Sequence, residues 1–222
     1  MQYLEKYKQV QQIARDTIDH LKFYIAEGIS EKEIVEKAEN FMRTNGVDSF
    51  WYYDVGAFVL VGERTVLSIS GKDYVPSETK VKKSDLVTVD LSPQIDGYWG
   101  DFARPFVIGN DSELHKGVNV EEALHLKLKG IISPNMSFEE LSDVMNSEII
   151  SMGYENLDFK GNLGHTIEKK KNDRKYIEKG NKLKFSDVGL FTFEPHIQRK
   201  NSDFGFKMEN VYYFDGDVLK EL

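Results

Sequence analysis

Two aspartates eleven residues apart, Asp90 and Asp101, lie in the stretch VTVDLSPQIDGYWGDFARPFVIG, whose apolar flanks and central Asp96-Gly97 predict a β-hairpin. With those two residues as the loop, Ile95 faces Tyr98 and Ser92 faces Asp101. Side chains alternate along a strand, so Asp90 shares a sheet face with Ser92 and stands diagonally across from Asp101. Two carboxylates that close in an apolar hairpin repel each other and need a counter-charge, which a divalent cation supplies most economically. Seen alone, the pair is read equally well as a strand-end cap and a surface charge.

Three more candidates follow: His165 in NLGHTIE, Glu194 in LFTFEPH and Glu209 in FKMENVYYF. Taken singly they read as a turn or core histidine, a strand-end charge and an edge-strand charge facing water. Together with the hairpin pair they make four carboxylates and one imidazole, a hard donor set suited to Mn, Fe, Co or Zn. Four ionised carboxylates balance two divalent cations, whereas without metal the cluster would be a costly gathering of buried anions. There is no cysteine, so thiolate ligands and disulfides are excluded and a reducing, cytoplasmic compartment is expected.

The elements that must position these groups are legible in the periodicity. Leu4, Tyr7, Val10, Ala14, Ile18, Leu21 and Ile25 mark an amphipathic helix ending near Gly28. Ser30 with Glu33 then forms a capping-box signature for a second helix striped by Ile34, Ala38, Phe41 and Met42 and stopped at Gly46. Shifted by 107 residues, Ile29, Ser30, Glu33, Ile34, Met42 and Gly46 fall on Met136, Ser137, Glu140, Leu141, Ile149 and Gly153. Ser84, Asp85 and VTVD ending at Asp90 likewise find a counterpart in Ser186, Asp187 and FTFE ending at Glu194, and Asp101 precedes Glu209 by 108 residues. An internal duplication is expected, with pseudo-repeats over about 1–110 and 111–222 in one α+β catalytic unit spanning 1–222. No Pro-, Gly- or Ser-rich linker separates the halves.

Charge and hydropathy narrow the function. Twenty-nine Lys and Arg against 37 Asp and Glu give a net charge of −8, which argues against nucleic acid as the main partner. The basic cluster from Lys169 to Lys175 is interrupted by Asn172 and Asp173 and is expected to be a solvated loop. The amino terminus lacks the apolar centre of a secretory signal and no apolar run approaches a membrane span, so no membrane partner is expected.

At the five candidate ligands the chain resembles the pita-bread family of methionine aminopeptidase, aminopeptidase P, prolidase and creatinase. The most specific element is the Asp90 to Asp101 spacing in VDLSPQIDGYWGDFAR, followed in order by GHTI, FTFEP and KMEN. The resemblance implies a curved antiparallel sheet covered by helices, with pseudo-two-fold halves. It implies that Asp90 chelates one ion, His165 and Glu194 the other, and Asp101 and Glu209 bridge both, with a hydroxide between them as nucleophile. Glu194 would also shuttle the proton, making it and His165 the catalytic residues.

The segment from Ser49 to Gly71 looks more like the aminopeptidase P and prolidase branch, although the helices begin at the first residues, as in a short methionine aminopeptidase. Two departures bear on substrate. Where the family has a substrate-contacting histidine three residues before a proline, Asp73 precedes Pro76, and Asn172 stands where a second histidine usually follows the metal-binding one. Asp73 and His196 are therefore the candidate substrate contacts. The expected activity is a metal-dependent aminopeptidase or Xaa-Pro-type peptidase acting on a peptide or small amide, with a homodimer as a possible assembly. The alternatives are hydrolysis of a non-peptide amide or amidine C–N bond, or a binding protein that keeps the fold without catalysis.

Overall fold

A computed structural model of the chain describes residues 2–158 and 160–222, the side chain of Gln2 excepted. Buried Tyr7, Val10, Ala14 and Ile18 form the inner stripe of helix α1 (Gln2–Leu21). The helix stops at Leu21, not near Gly28 as its periodicity suggests. Ile25 stays buried only because the chain turns, and Gly28, at φ +90°, gives its N–H to Val81 O outside any helix.

Helix α2 (Glu31–Thr44) opens with the predicted capping box: Ser30 Oγ accepts from Glu33 N–H while the Glu33 carboxylate accepts from Ser30 N–H. Helices α3 (Ser112–Ile131) and α4 (Phe138–Ser151) repeat the pattern, with Ser137 and Glu140 forming the second box. Each half thus contributes a 20-residue helix and then a 14-residue capped helix, the latter pair offset by the same 107 residues found in the sequence.

The strands are β1 (Ser49–Phe50), β2 (Ala57–Val61), β3 (Asp85–Leu91), β4 (Pro93–Ile95), β5 (Tyr98–Trp99), β6 (Phe102–Ile108), β7 (Tyr154–Asn156), β8 (Phe191–Phe193), β9 (His196–Arg199), β10 (Gly205–Lys207), β11 (Asn210–Asp215) and β12 (Val218–Glu221). They form four antiparallel groups ordered β1-β4-β5, β2-β3-β6, β7-β9-β10 and β8-β11-β12. The hairpin has the register expected from its turn. Ile95 pairs with Tyr98, Leu91 with Phe102 and Asp90 with Ala103, which keeps Ser92 opposite Asp101.

One apolar core joins α1 and α2 to β2 and β3, and a second joins α3 and α4 to β8 and β11. Between them Tyr7, Trp51, Trp99, Ile167, Leu190 and Val211 tie the halves together. Among the described residues, no helix is long and apolar enough to cross a membrane.

Candidate metal centre

Backbone pairing alone brings four of the five candidates into line. Asp90 lies opposite Ala103 across β3 and β6, and Ala103 O accepts from Glu209 N–H at 3.1 Å in an isolated bridge between the halves. The β8–β11 register pairs Asn210 with Phe193; one residue further on, it sets Glu209 against Glu194. His165 arrives from the side, its backbone pinned where Thr192 N–H donates to His165 O at 2.7 Å and Thr192 Oγ1 accepts from His165 N–H at 3.0 Å. This close crossing explains the Gly-His sequence. At Gly164, φ is +147° and a Cβ would stand 2.3 Å from Thr192 O.

The side chains converge in turn. Ligand atoms of Asp101, His165 and Glu209, all buried, lie within 4.8 Å of one another. His165 Nδ1 is 3.1 Å from Thr166 O, a pure acceptor, so Nδ1 carries the proton and Nε2 presents its lone pair. That lone pair faces Glu194 Oε1 at 3.4 Å and Asp101 Oδ2 at 3.7 Å. Burial holds His165 neutral, its pKa lowered to about 4.

Glu209 is fully buried, and neither of its carboxylate oxygens has a hydrogen-bond partner among the described residues. Burial pushes its pKa well up, and the charges of Asp101 and Glu194 add to the shift. Asp101 is raised for the same reasons, burial first, then Asp90 and Glu194. An orphaned buried carboxylate facing a neutral imidazole lone pair and a second strained carboxylate suits a divalent ion, so the residues fit the metal chemistry expected of them.

The sequence reading missed one group at the heart of this cluster. Lys207 Nζ lies 2.6 Å from Asp90 Oδ2, 2.9 Å from Glu194 Oε2 and 3.6 Å from Glu209 Oε2, with only 19% of its side chain exposed. The four-carboxylate count therefore omitted a cation already present. Burial alone would raise Glu194, but the Lys207 ammonium, with His165 and Arg174, draws it down to about 2. Asp90 stays above its ordinary value because burial outweighs its pairing with Lys207. The signal was available: Lys207 lies two residues before Glu209 on an extended segment, and so on the same face.

Neighbouring residues set the ligands in place. Gln11, fully buried on α1, brackets the Asp101 backbone, its Nε2 donating to Asp101 O at 2.8 Å and its Oε1 accepting from Asp101 N–H at 3.0 Å. Arg104 Nη1 donates to both Ala103 O and Glu209 O at 2.7 Å, and Nη2 donates to Asn210 Oδ1 at 2.6 Å. From α3, His125 bonds Tyr212 Oη at 2.9 Å and Met208 O at 3.1 Å, bracing the Glu209 strand from its other side.

The centre opens into a cleft of about 380 Å³ walled by Trp51, Tyr52, Phe58 and Tyr176, with Asp90, Asp101, His165, Glu194 and Lys207 among its lining. The basic segment expected to be a solvated loop is only partly so. Lys169, Lys170 and Lys175 are exposed, but Lys171 lies 4.3 Å from the Tyr53 ring and Arg174 about equally far from Trp51, Tyr52 and Tyr176, at 5.2, 5.2 and 5.4 Å. Arg174 lines the cleft, and among the described residues no carboxylate forms an ion pair with it.

Asp73 is exposed and does not line the cleft, while Asn172 is exposed in a short 3₁₀ turn. His196 lines an adjoining cavity of about 130 Å³ beside Asp90 and Glu194, but its Nε2–H is committed to Thr65 O at 2.7 Å. Burial lowers its pKa to about 4.

A carboxylate and imidazole centre of this geometry, on antiparallel sheets flanked by paired helices, defines a pita-bread metallohydrolase architecture. The chain belongs to metallopeptidase family M24, whose sequence profile matches residues 5–215. It is 28% identical over 206 residues to methionine aminopeptidase A of Synechocystis, covering 87% of this chain and 78% of that protein. It is 26% identical over 175 residues to the Xaa-Pro dipeptidase of Pyrococcus horikoshii, covering 78% of this chain and 47% of that one. The prolidase of Pyrococcus furiosus superposes with a TM-score of 0.86 at 21% identity, over 99% of this chain and 63% of its own. The chain thus spans from about half to three quarters of the length of these relatives.

Proposed function

We propose that the chain is a metal-dependent exopeptidase that hydrolyses the amide bond beside the free amino end of a short peptide, an amino-terminal residue or an Xaa-Pro dipeptide being its substrate. The observation that carries this reading is the convergence of the His165 Nε2 lone pair and the Asp90, Asp101 and Glu194 carboxylates in one aromatic-walled cleft, with the buried Glu209 carboxylate within 4.8 Å of the Asp101 and His165 donors. Relatives that act as methionine aminopeptidase and Xaa-Pro dipeptidase support it.

In this reading Asp90 would chelate one divalent ion and His165 and Glu194 a second, with Asp101 and Glu209 between them; the donor set suits Mn, Co, Fe or Zn. When bound, such ions polarise the scissile carbonyl and bring the pKa of water down toward neutrality. Glu194, ionised at neutral pH and accepting from Thr192 Oγ1 at 3.3 Å, takes the proton of the attacking water and delivers it to the leaving amine. Trp51, Tyr52 and Tyr176 hold the substrate and exclude solvent. Arg174, which forms no ion pair with a carboxylate among the described residues and lines the cleft, receives the carboxylate end of a short peptide. We further propose that the two halves form one catalytic unit and that the chain assembles as a homodimer.

Metal analysis of the wild type against Asp101→Ala and Glu209→Ala tests the centre. A panel of Met-, Ala- and Xaa-Pro-peptides assayed with Mn, Co, Fe or Zn tests the substrate. Loss of both metal and cleavage in each variant is the expected result. Stoichiometric metal without cleavage of any peptide would overturn the exopeptidase reading, and metal retained in both variants would overturn the ligand assignment.

A further inference from the structure

The ammonium of Lys207 stands where a cation would have to bind. Metal to carboxylate oxygen distances are about 2.0–2.2 Å. An ion bonded to Asp90 Oδ2 and Glu194 Oε2 would therefore nearly coincide with a nitrogen lying 2.6 and 2.9 Å from those same oxygens. The two cannot occupy the position together. The rest of the centre is less obstructed: Glu194 turns its other oxygen, Oε1, toward His165 Nε2, the Asp101, His165 and Glu209 donors lie within 4.8 Å of one another, and Lys207 Nζ stands off from Glu209 Oε2 at 3.6 Å.

The five ligands are therefore divided. One group is open, and the Asp90 side is already neutralised by a cation covalently attached to the chain. The attachment is firm at its root, because Lys207 pairs with His196 in the β9–β10 ladder and the following residues lead directly to the bridge between Glu209 and Ala103. The tip has room to withdraw. Lys207 also lines the adjoining 130 Å³ cavity, where Asp158 offers another carboxylate.

We propose that Lys207 is a built-in competitor for the second metal position. The chain takes one divalent ion tightly on Asp101, His165 and Glu209, with Glu194 Oε1 alongside, and a second ion joins on Asp90 only by displacing the Lys207 ammonium. This rests on the metallopeptidase reading above and adds to it a marked inequality between the two affinities.

The test is a titration of chelator-treated full chain with Mn²⁺, followed by calorimetry, metal analysis after equilibrium dialysis, and electron paramagnetic resonance. The expected wild-type result is one tight ion with the six-line spectrum of an isolated Mn²⁺ and a much weaker second ion. Lys207→Met should strengthen the second site on the order of ten- to a hundredfold, the worth of a charge-assisted hydrogen bond, and yield a spin-coupled pair. Lys207→Arg, which keeps the charge, should preserve the inequality. Two ions of equal affinity in the wild type, or a second affinity unmoved in Lys207→Met, would overturn the proposal while leaving the metallopeptidase reading intact. A wild type that binds no ion would overturn that reading first. If Lys207→Met does not fold, Lys207→Gln, which also removes the charge, makes the same comparison, and a second affinity unmoved in it would overturn the proposal.

Discussion

Replacing Gln11 with Leu should damage the centre from a distance, because Gln11 touches no substrate and donates no ligand. Its two hydrogen bonds, 2.8 and 3.0 Å long, close on the C=O and N–H of Asp101 inside a fully buried environment. Leucine fills nearly the same volume but answers neither group. Leaving one buried polar group unpaired costs about 1–3 kcal/mol, so two, with some relaxation, should cost about 2–4 kcal/mol. For a chain of this length that is a Tm lower by roughly 5–15 °C. Urea denaturation of the metal-free protein measures it as a lower midpoint at unchanged slope. The Asp101 carboxylate also loses its anchor, so Mn²⁺ affinity should fall in the same variant but not in an equally destabilised variant of α4, such as Met145→Ala. A loss under about 0.5 kcal/mol with metal affinity intact would refute the positioning role of Gln11.

Other expectations follow from particular side chains. Arg174→Ala should raise KM for dipeptides about tenfold or more while changing kcat little, and should leave substrates with an amidated carboxyl end unaffected; an equal effect on both would remove Arg174 from substrate recognition. His125, buried and held neutral with its pKa lowered to about 4 against an ordinary 6.5, makes folding pH-dependent. Below pH 6.5 the unfolded chain takes up a proton that the folded one refuses, so about 3 kcal/mol should be lost between pH 6.5 and 4, and His125→Gln should flatten that limb of the stability curve. Glu121 behaves oppositely. Its carboxyl is fully buried, and burial raises its pKa well above 4.5, outweighing the Lys207 charge and the Met208 backbone that favour the ionised form. Stability is therefore lost as pH rises past the ordinary carboxyl value, and Glu121→Gln should raise Tm at pH 7 more than at pH 4.5; an equal change at both would contradict a buried neutral acid.

What could be read from the sequence was what is local or periodic. Ser30 with Glu33 and Ser137 with Glu140 are capping boxes because three-residue spacing and side-chain chemistry suffice to form them. The Asp90 and Asp101 geometry follows from a two-residue turn and a period of two. Gln11 and Lys207 left traces in the same periodicities. Gln11 is a polar residue four after Tyr7 on the buried stripe of α1, and Lys207 shares the face of Glu209. What neither pattern could supply was the partner, since Asp101 is 90 residues from Gln11 and Asp90 is 117 from Lys207. Arg174 was harder still. Five cations and a break in seven residues look like a solvated loop until Trp51, Tyr52 and Tyr176 are known to lie beneath it.

The centre is best understood as a property of the join between the halves. Asp90 and Asp101 belong to the first hairpin, and Glu194 and Glu209 to the strands of the second half. They share one surface because a single bridge, Glu209 N–H to Ala103 O, aligns the two registers. That bridge is isolated, and an isolated backbone hydrogen bond contributes only about 1 kcal/mol. Arg104 reinforces it by donating to the carbonyls of both bridged residues and to the Asn210 side chain, so that one guanidinium spans the seam. The acidic groups oppose this closure, since bringing the halves together is what crowds them. Lys207 forms ion pairs with three of the carboxylates, the longest at 3.6 Å to Glu209, and none with Asp101; burial and the neighbouring carboxylates still push the pKa values of Asp101 and Glu209 well up. The seam therefore remains incompletely neutralised at the one place where neutral His165 offers its lone pair, and a divalent ion bound there would fasten the halves by the same contacts that prepare it for hydrolysis.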